Sequence, residues 1–262
     1  MHKELIKQMK SDVILYQKLT HRAWVAKETI NHNSWLIRLS EGVTNRANSV
    51  LPVEYNGSDL EKDINIVEEM YKENDLSSVF QIPDYYKPSN LLDYLQKNGF
   101  QKTDETKVMT KEIKEEEIFS ENDSFEYLIE DDVSEDWFQT LQRITNYNEY
   151  VLEAFRSIIS RTSNTKVACS VMVNDITVGI VLGVAEKPFI GIYDLLIDPD
   201  YRRLGIGEFI TKKMLTYAFN NNLKTMYLQV EAKNLPAVRL YEKLEFQERY
   251  RYRYMIKEYK RE

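Results

Sequence analysis

The stretch IDPDYRRLGIGEFITKKML, residues 197–215, limits the possible folds more than any other part of this sequence. It joins the strand-like run FIGIYDLL to a helix-like run, with two arginines and two glycines at the junction. A helix start has unpaired backbone N–H groups and a partial positive charge, which attract phosphate. Gly205 and Gly207 lack side chains that would block a phosphate, and Arg202 and Arg203 can add charged hydrogen bonds. This junction predicts an anion site, although an ordinary turn with surface arginines has the same composition.

The first half of the chain repeats the order of these elements and offers an internal comparison. LLDYLQKNGF (91–100) aligns without gaps with AVRLYEKLEF (237–246). Before the corresponding helix of the first half, Ser58 and Glu61 have the spacing of a capping box, and Asp59 adds a further acid. We therefore predict that this helix start is already filled and that phosphate binds only at the second.

The charge-rich segment TKEIKEEEIFSENDS (110–124) predicts an exposed connection, and we place a domain boundary near Ile118. Strands and helices alternate on both sides of it, which favours an α/β fold with a mixed sheet. The predicted domains are residues 1–118 and 119–262, two tandem copies of one fold with the first degenerate.

Composition excludes several classes of protein. The net charge of −7 argues against nucleic acid or an anionic membrane as the main partner. The only cysteine, Cys169, cannot form an internal disulfide. The charged N-terminal segment is unlike a secretory signal or a membrane span. The three histidines lack metal-ligand spacing alongside cysteines, so no metal is expected. We expect a cytoplasmic protein.

The motif DPDYRRLGIG resembles the Arg-x-x-Gly-x-Gly pattern of the GNAT superfamily of acyl-CoA-dependent N-acetyltransferases. LQVEAKNLPAVRLYEKLEF is similar to the strand and helix that follow it in that superfamily. The resemblance covers about residues 125–256, and the first half resembles the degenerate N-terminal half of tandem bacterial GNAT proteins. It implies a mixed, mostly antiparallel central sheet flanked by helices. Glu245 departs from the usual glycine, and we expect a local adjustment there.

The resemblance also implies the functional residues. The loop and helix start would hold the pyrophosphate of acetyl-CoA, and the preceding strand would pair with its pantetheine arm. The residues assigned to acetyl-CoA are Leu196, Ile197, Arg202, Arg203, Leu204, Gly205, Ile206, Gly207, Asn234 and Ala237. Tyr241 would donate to the departing sulfur, unless it is simply a core tyrosine. Asp194 is the candidate general base, directly or through water, or else a structural carboxylate. Glu231 is a weaker second candidate.

We therefore predict direct acetyl transfer from acetyl-CoA to an amine on a small molecule or peptide, without a metal or a covalent intermediate. The alternatives are a non-catalytic acyl-CoA sensor and an enzyme with a longer acyl donor. Asn48 and Ser49 are polar within a predicted buried strand, so we expect them to form hydrogen bonds and to shape an acceptor pocket. The sequence leaves open the acceptor and whether the chain forms a homodimer.

Overall fold

The computed structural model describes residues 2–115 and 125–259, and the chain forms two compact units. The first unit contains Met1–Lys107, Glu231–Lys233 and Arg249–Glu262, and the second contains Val108–Val230 and Asn234–Glu248. The chain thus passes from the first unit to the second just after Lys107. The predicted boundary at Ile118 lies outside the described residues.

The helices and strands follow in chain order. Up to residue 112 they are α1 (His2–Ala23), β1 (Glu28–His32), β2 (Trp35–Leu39), β3 (Val50–Leu51), α2 (Leu60–Glu73), β4 (Ser78–Pro83), α3 (Leu91–Lys97), β5 (Gln101–Lys102) and β6 (Thr106–Glu112). The remainder are β7 (Glu126–Glu130), α4 (Glu135–Thr145), α5 (Glu149–Arg161), β8 (Thr165–Val173), β9 (Ile176–Glu186), β10 (Phe189–Ile197), α6 (Ile206–Asn220), β11 (Thr225–Glu231), α7 (Leu235–Lys243) and β12 (Gln247–Lys257). No helix in the described ranges is long and apolar enough to cross a membrane.

The first unit has the strand order β1-β2-β3-β4-β12. Strands β3 and β4 are parallel, and the other pairs are antiparallel. Alternate residues of β2 and β4, including Trp35, Ile37 and Phe80, share an apolar core with Ile64 of α2 and Leu91 of α3. The predicted strand NRANSVLPV is shorter than expected, because a turn precedes β3.

The second unit has the strand order β6-β11-β10-β9-β8-β7, with β10 and β11 parallel and β7 to β10 antiparallel. The predicted hairpin turn at Asn174 and Asp175 is confirmed, with φ values of 52° and 62°. Ile190 and Ile192 of β10 pack in one apolar core with α6 and α7, while Trp137 of α4 donates to the backbone of β9. The predicted α/β fold with a mixed, mostly antiparallel sheet is confirmed.

Each half of the chain ends in a closing strand, which is β6 in the first half and β12 in the second. Most of each closing strand belongs to the unit that the other half of the chain forms. Residues 108–112 of β6 follow the helices of the first half but belong to the second unit. Tyr252 to Lys257 of β12, at the end of the second half, pair with β4 in the first unit. The two units are therefore not consecutive segments of sequence.

Candidate acyl-transfer site

Strands β10 and β11 separate where the predicted site begins. Their parallel pairing ends at Ile192 and Leu228, although β10 continues to Ile197. On its other edge, β10 stays with β9, but the register shifts just after Tyr193, where Asp194 has φ +48°. Such a bulge bends a strand and increases its twist. The last part of β10 is therefore not paired with β11, and this gap in the pairing of the sheet is called the cleft below.

A short 3₁₀ turn follows β10 and is held from two sides. The Asp198 N–H donates to the Val178 carbonyl at 2.9 Å, and its carboxylate accepts from the Asp200 N–H at 3.1 Å. Arg143 of α4 pairs with the same carboxylate and donates to the Thr177 carbonyl. Burial opposes the ionisation of Asp198, but these hydrogen bonds hold its pKa below the ordinary value. Sequence reasoning missed Arg143, because it lies far from the loop in the chain and belongs to no local motif.

The two glycines of the loop have different structural roles. Gly205 is the N-cap of α6 with φ +88°, and a Cβ there would meet no atom of the described residues within 4 Å. Its backbone conformation is therefore what favours glycine. A Cβ on Gly207 would lie 3.2 Å from Leu240 Cδ2, so this glycine permits close packing of α6 on α7. Among the described residues, no side chain caps α6, so its first N–H groups receive no side-chain acceptor there.

The two loop arginines also have different structural roles. The Arg202 Nε donates to the Ile197 carbonyl at 3.1 Å, which ties the loop back to the end of β10. Arg203 has φ +68° and is exposed. Leu204, also exposed, follows it directly. In the sequence, both arginines come shortly before Gly205, the N-cap of α6.

Glu208, the acid in the first turn of α6, is paired with two lysines. Its carboxylate lies 2.8 Å from Lys212 Nζ and 2.5 Å from Lys243 Nζ. These hydrogen bonds lower the pKa of Glu208, so it is ionised at neutral pH. Two positive charges then accompany one negative charge, and the acid does not prevent anion binding.

The corresponding helix start in the first unit is filled. Asp59 is the N-cap of α2 and accepts from the Lys62 N–H at 3.1 Å. The predicted capping by Ser58 is wrong, because the helix begins one residue later. Asp63, in the first turn, accepts from the Tyr55 hydroxyl at 2.6 Å. Two carboxylates therefore occupy this positive helix end.

Helix α7 carries three of the predicted residues. Asn234 is its N-cap, as predicted, and its side chain accepts from the Ala237 N–H at 3.3 Å. Tyr241 is 6% exposed and its ring lies 5.6 Å from that of Phe246. Burial raises the pKa of Tyr241 to about 12, so its hydroxyl stays protonated at neutral pH.

The expected adjustment at Glu245 is confirmed. Glu245 follows α7 with φ +65°, and the Phe246 N–H donates to the Tyr241 carbonyl at 2.9 Å. This is the hydrogen bond of a Schellman cap, which glycine usually completes. The Glu245 carboxylate lies 3.1 Å from Lys111 Nζ. The helix thus ends as it would with glycine.

Asp194 is half-buried at the bulge of β10, next to a buried pair of tyrosines. The hydroxyls of Tyr193 and Tyr227 are 3.0 Å apart, and neither residue is more than 3% exposed. A Cβ on Gly191 would lie 2.6 Å from the Tyr227 ring, so this glycine makes room for the pair. Sequence reasoning missed the pair, because nothing local separates these tyrosines from the other sixteen.

Three other candidate residues lie in the first unit. Glu231 is exposed, with its carboxylate 3.6 Å from Lys233 Nζ. The expected hydrogen bonds of Asn48 and Ser49 are confirmed. Asn48 accepts from the Ser40 N–H at 2.8 Å, and the Ser49 hydroxyl accepts from the buried Arg38 guanidinium. The acceptor pocket predicted for Asn48 and Ser49 stays a prediction.

The structure brings some of the predicted acetyl-CoA residues of the second unit close to one another. A Cβ on Gly207 would lie 3.9 Å from Ile197 Cγ1 and also near Leu240, so the end of β10, the start of α6 and the second turn of α7 meet there. Ile206 and Tyr241 belong to the same apolar cluster, with Ile197 packed against it. Ile197, Ile206, Gly207 and Tyr241 thus share one packed region with the end of β10.

The comparisons agree with this geometry. The family profile described as "Probable histone acetyltransferase Rv0428c C-terminal" matches residues 15–255. The Bacillus subtilis protein named "Uncharacterized N-acetyltransferase YobR" is 26% identical over 251 residues, covering 94% of this chain and 99% of that protein.

Two solved structures are similar in fold. A GCN5-related N-acetyltransferase from Kribbella flavida has a TM-score of 0.65 at 11% identity and covers 93% of each chain. A tandem GNAT protein from the clavulanic acid biosynthesis pathway has a TM-score of 0.63 at 7% identity, covering 77% of this chain and 70% of that one. With the family profile spanning both units, this chain belongs to the Rv0428c C-terminal acetyltransferase family and, with it, to the GNAT superfamily of N-acyltransferases.

Proposed function

We propose that the second unit transfers an acetyl group from acetyl-CoA to an amine. The observation that carries this proposal is the uncapped start of α6, preceded by Arg202 and Arg203 and adjacent to the cleft where β10 leaves β11. One end of this arrangement suits an anion, and the other suits an extended chain with amide groups. Acetyl-CoA carries a pyrophosphate and a pantetheine arm in that order.

The pyrophosphate binds the backbone N–H groups at the start of α6. Gly205 supports this role, because its left-handed conformation turns the chain into the helix without a capping side chain. Arg203 is exposed and can add charged hydrogen bonds. Lys212 and Lys243 balance Glu208, which would otherwise repel the ligand.

The pantetheine arm pairs with the free edge of β10 as an added strand does. Leu196 and Ile197 lie beyond the last residue of β10 that pairs with β11, and they would supply backbone groups to the amides and the thioester oxygen. Such donors are in place before the tetrahedral intermediate forms, which lowers the barrier to its formation. Asn234 and Ala237 at the start of α7 complete the binding site.

Tyr241 acts on the leaving sulfur as a hydrogen-bond donor. Its pKa of about 12 lies well above the roughly 8.5 of an ordinary thiol. Complete transfer of its proton to the thiolate is therefore unfavourable by about 5 kcal/mol. A charge-assisted hydrogen bond needs no such transfer and stabilises the developing negative charge.

Asp194 is the proposed general base. An alkyl ammonium has a pKa near ~10.4, so the amine must lose a proton before it attacks. Asp194 is half-buried at the bulge where the cleft begins, and it can accept this proton directly or through one water molecule. The acceptor is a small molecule or a peptide with a primary amine.

Calorimetric titration of the purified full chain with acetyl-CoA tests the binding step. We expect one site per chain, because acids fill the start of α2 in the first unit. Release of coenzyme A in the presence of a panel of amines, followed with a thiol reagent, tests catalysis. Binding without amine-dependent release would favour the acyl-CoA sensor. Two sites per chain would contradict the assignment to the second unit alone.

A further inference from the structure

The first unit contains a polar face opposite its apolar core. In β2, Ile37 and Leu39 belong to the apolar core, so Arg38 between them points to the other face. Gln81 of β4 points to the same face and is paired in register with Tyr254 of β12. Arg38 and Gln81 are both completely buried. A buried guanidinium requires hydrogen-bond acceptors and a balancing negative charge, because its removal from water is unfavourable.

Neutral acceptors satisfy part of the Arg38 guanidinium. Its Nε donates to the Ser49 carbonyl at 2.9 Å, and its Nη2 donates to the Ser49 hydroxyl at 2.5 Å and to Gln81 Oε1 at 2.9 Å. Within the described ranges, Arg38 Nη1 and Gln81 Nε2 have no hydrogen-bond partner. Two donors from adjacent side chains are thus buried and unsatisfied.

The groups around Arg38 do not balance its charge. Burial and the nearby charges of Arg38 and Arg22 lower the pKa of His21 to about 4, so this histidine is neutral at pH 7. Burial raises the pKa of Tyr71 and of Tyr254, so both phenols are neutral too. The remaining titratable groups around Arg38 are Tyr252 and Arg46. Among the described residues that influence Arg38 there is no carboxylate.

We propose that the first unit binds a small carboxylate at Arg38, with Arg38 Nη1 and Gln81 Nε2 as the donors. A guanidinium matches a planar carboxylate in shape, and a single negative charge balances the buried positive one. This site belongs to the first unit and is independent of the acetyl-CoA site proposed in the second. It gives the first unit a ligand of its own.

Thermal unfolding of the dialysed full chain tests the proposal. The probes are sodium acetate, lactate, glutamate and benzoate, each compared with sodium chloride and sodium phosphate at equal ionic strength. We expect at least one carboxylate to raise Tm by roughly 3 to 5 °C for each tenfold increase in concentration above its Kd. Chloride and phosphate should give no such rise.

Gln81→Glu is the decisive variant, because it places a carboxylate next to Arg38 within the chain itself. It should raise Tm without ligand and abolish the response to carboxylates. Gln101→Glu makes the same charge change at an exposed position of the first unit and should keep the response. Arg38→Met should also abolish the response if it folds.

Three outcomes would overturn the proposal. These are no rise with any of the four carboxylates, an equal rise with chloride or phosphate, and a lower Tm for Gln81→Glu than for the unmodified chain. The first would mean that neutral groups and water are enough to stabilise the buried charge of Arg38. The second would describe an unselective anion site.

Discussion

Tyr241 is buried against Phe246, and its hydroxyl keeps its proton throughout the neutral range. Removing that hydroxyl would delete the proposed hydrogen bond to the leaving sulfur and would leave the ring packing in place. We predict that Tyr241→Phe lowers kcat about 10- to 100-fold, the effect of one charge-assisted hydrogen bond. KM for acetyl-CoA should change little. Steady-state release of coenzyme A measures both quantities.

Tyr217→Phe is the matched control for this prediction. Tyr217 is half-buried on α6, about three turns from the proposed pyrophosphate site, and burial raises its pKa as well. It should retain full activity. Equal losses in both variants would point to general destabilisation, and an unchanged kcat in Tyr241→Phe would remove the hydrogen-bond role.

Asp194 can be tested without disturbing the bulge, because asparagine also tolerates a left-handed backbone. We predict that Asp194→Asn lowers kcat/KM about 100-fold at pH 7, since the amine loses its proton acceptor. The loss should shrink as pH approaches the pKa of the amine. Asp175→Asn, with φ +62° in the β8–β9 turn, makes the same change and should be silent. A pH-independent loss in Asp194→Asn would indicate a structural carboxylate.

Cys169 gives a prediction about pH and stability. Burial raises the pKa of this thiol from 9.0 to about 12, against a smaller opposing effect of Lys213. The folded state therefore holds a proton that the unfolded state releases above pH 9. The contribution of this thiol to the free energy of unfolding is therefore fully present below pH 9. It falls by about 1.4 kcal/mol per pH unit as pH rises toward 12.

We therefore expect the free energy of unfolding to fall by roughly 2 kcal/mol more in the unmodified chain than in Cys169→Ala between pH 9 and 10.5. Urea unfolding at both pH values measures this difference. Parallel decreases in the two proteins would show that the thiol titrates normally when folded.

At the scale of an element, the start of α6 differs from that of α2 in what fills it. Gly205 and Gly99 make a matched pair, with φ values of +88° and +86°, and in the part of the chain that the structure describes no atom lies within 4 Å of a Cβ added at either. We predict that alanine at either position destabilises the chain by about 1 to 2 kcal/mol, because both backbones are left-handed. Only Gly205→Ala should also weaken acetyl-CoA binding, by tenfold or more.

Calorimetric titration of the two glycine variants separates these effects. If Gly99→Ala weakened binding as much as Gly205→Ala, the loss would reflect stability. If neither variant changed affinity, the start of α6 would not be the pyrophosphate site.

The sequence predicted local elements more successfully than their partners in space. The hairpin at Asn174 and Asp175 and the cap at Asn234 depend on neighbouring residues, and both were predicted. The capping box at Ser58 was wrong, since Ser58 and Asp59 are both good caps and sequence does not decide between adjacent candidates. Arg143 and the Tyr193–Tyr227 pair reach the site from distant parts of the chain, so no local pattern reveals them.

At the scale of the whole molecule, the closing strands decide how the chain can be divided. Residues 108–112 of β6 belong to the second unit, and Tyr252 to Lys257 of β12 pair with β4 in the first. Sequence reasoning placed each closing strand with the helix before it, because the repeat gives the order of elements and not their pairing. An isolated fragment 1–118 would leave β4 without its β12 partner. Unpaired strand edges promote aggregation.

We predict that fragments 1–118 and 119–262 are poorly soluble when expressed separately and form a soluble complex when co-expressed. Each fragment supplies the closing strand that the other unit needs. Dividing the chain between Ile118 and Phe119 leaves both closing strands intact. Co-purification through a tag on one fragment, followed by acetyl-CoA titration, tests this exchange. A 119–262 fragment that alone is monomeric, folded and binds acetyl-CoA with full affinity would show that β6 is dispensable. In that case the boundary predicted from the sequence would define an independent domain after all.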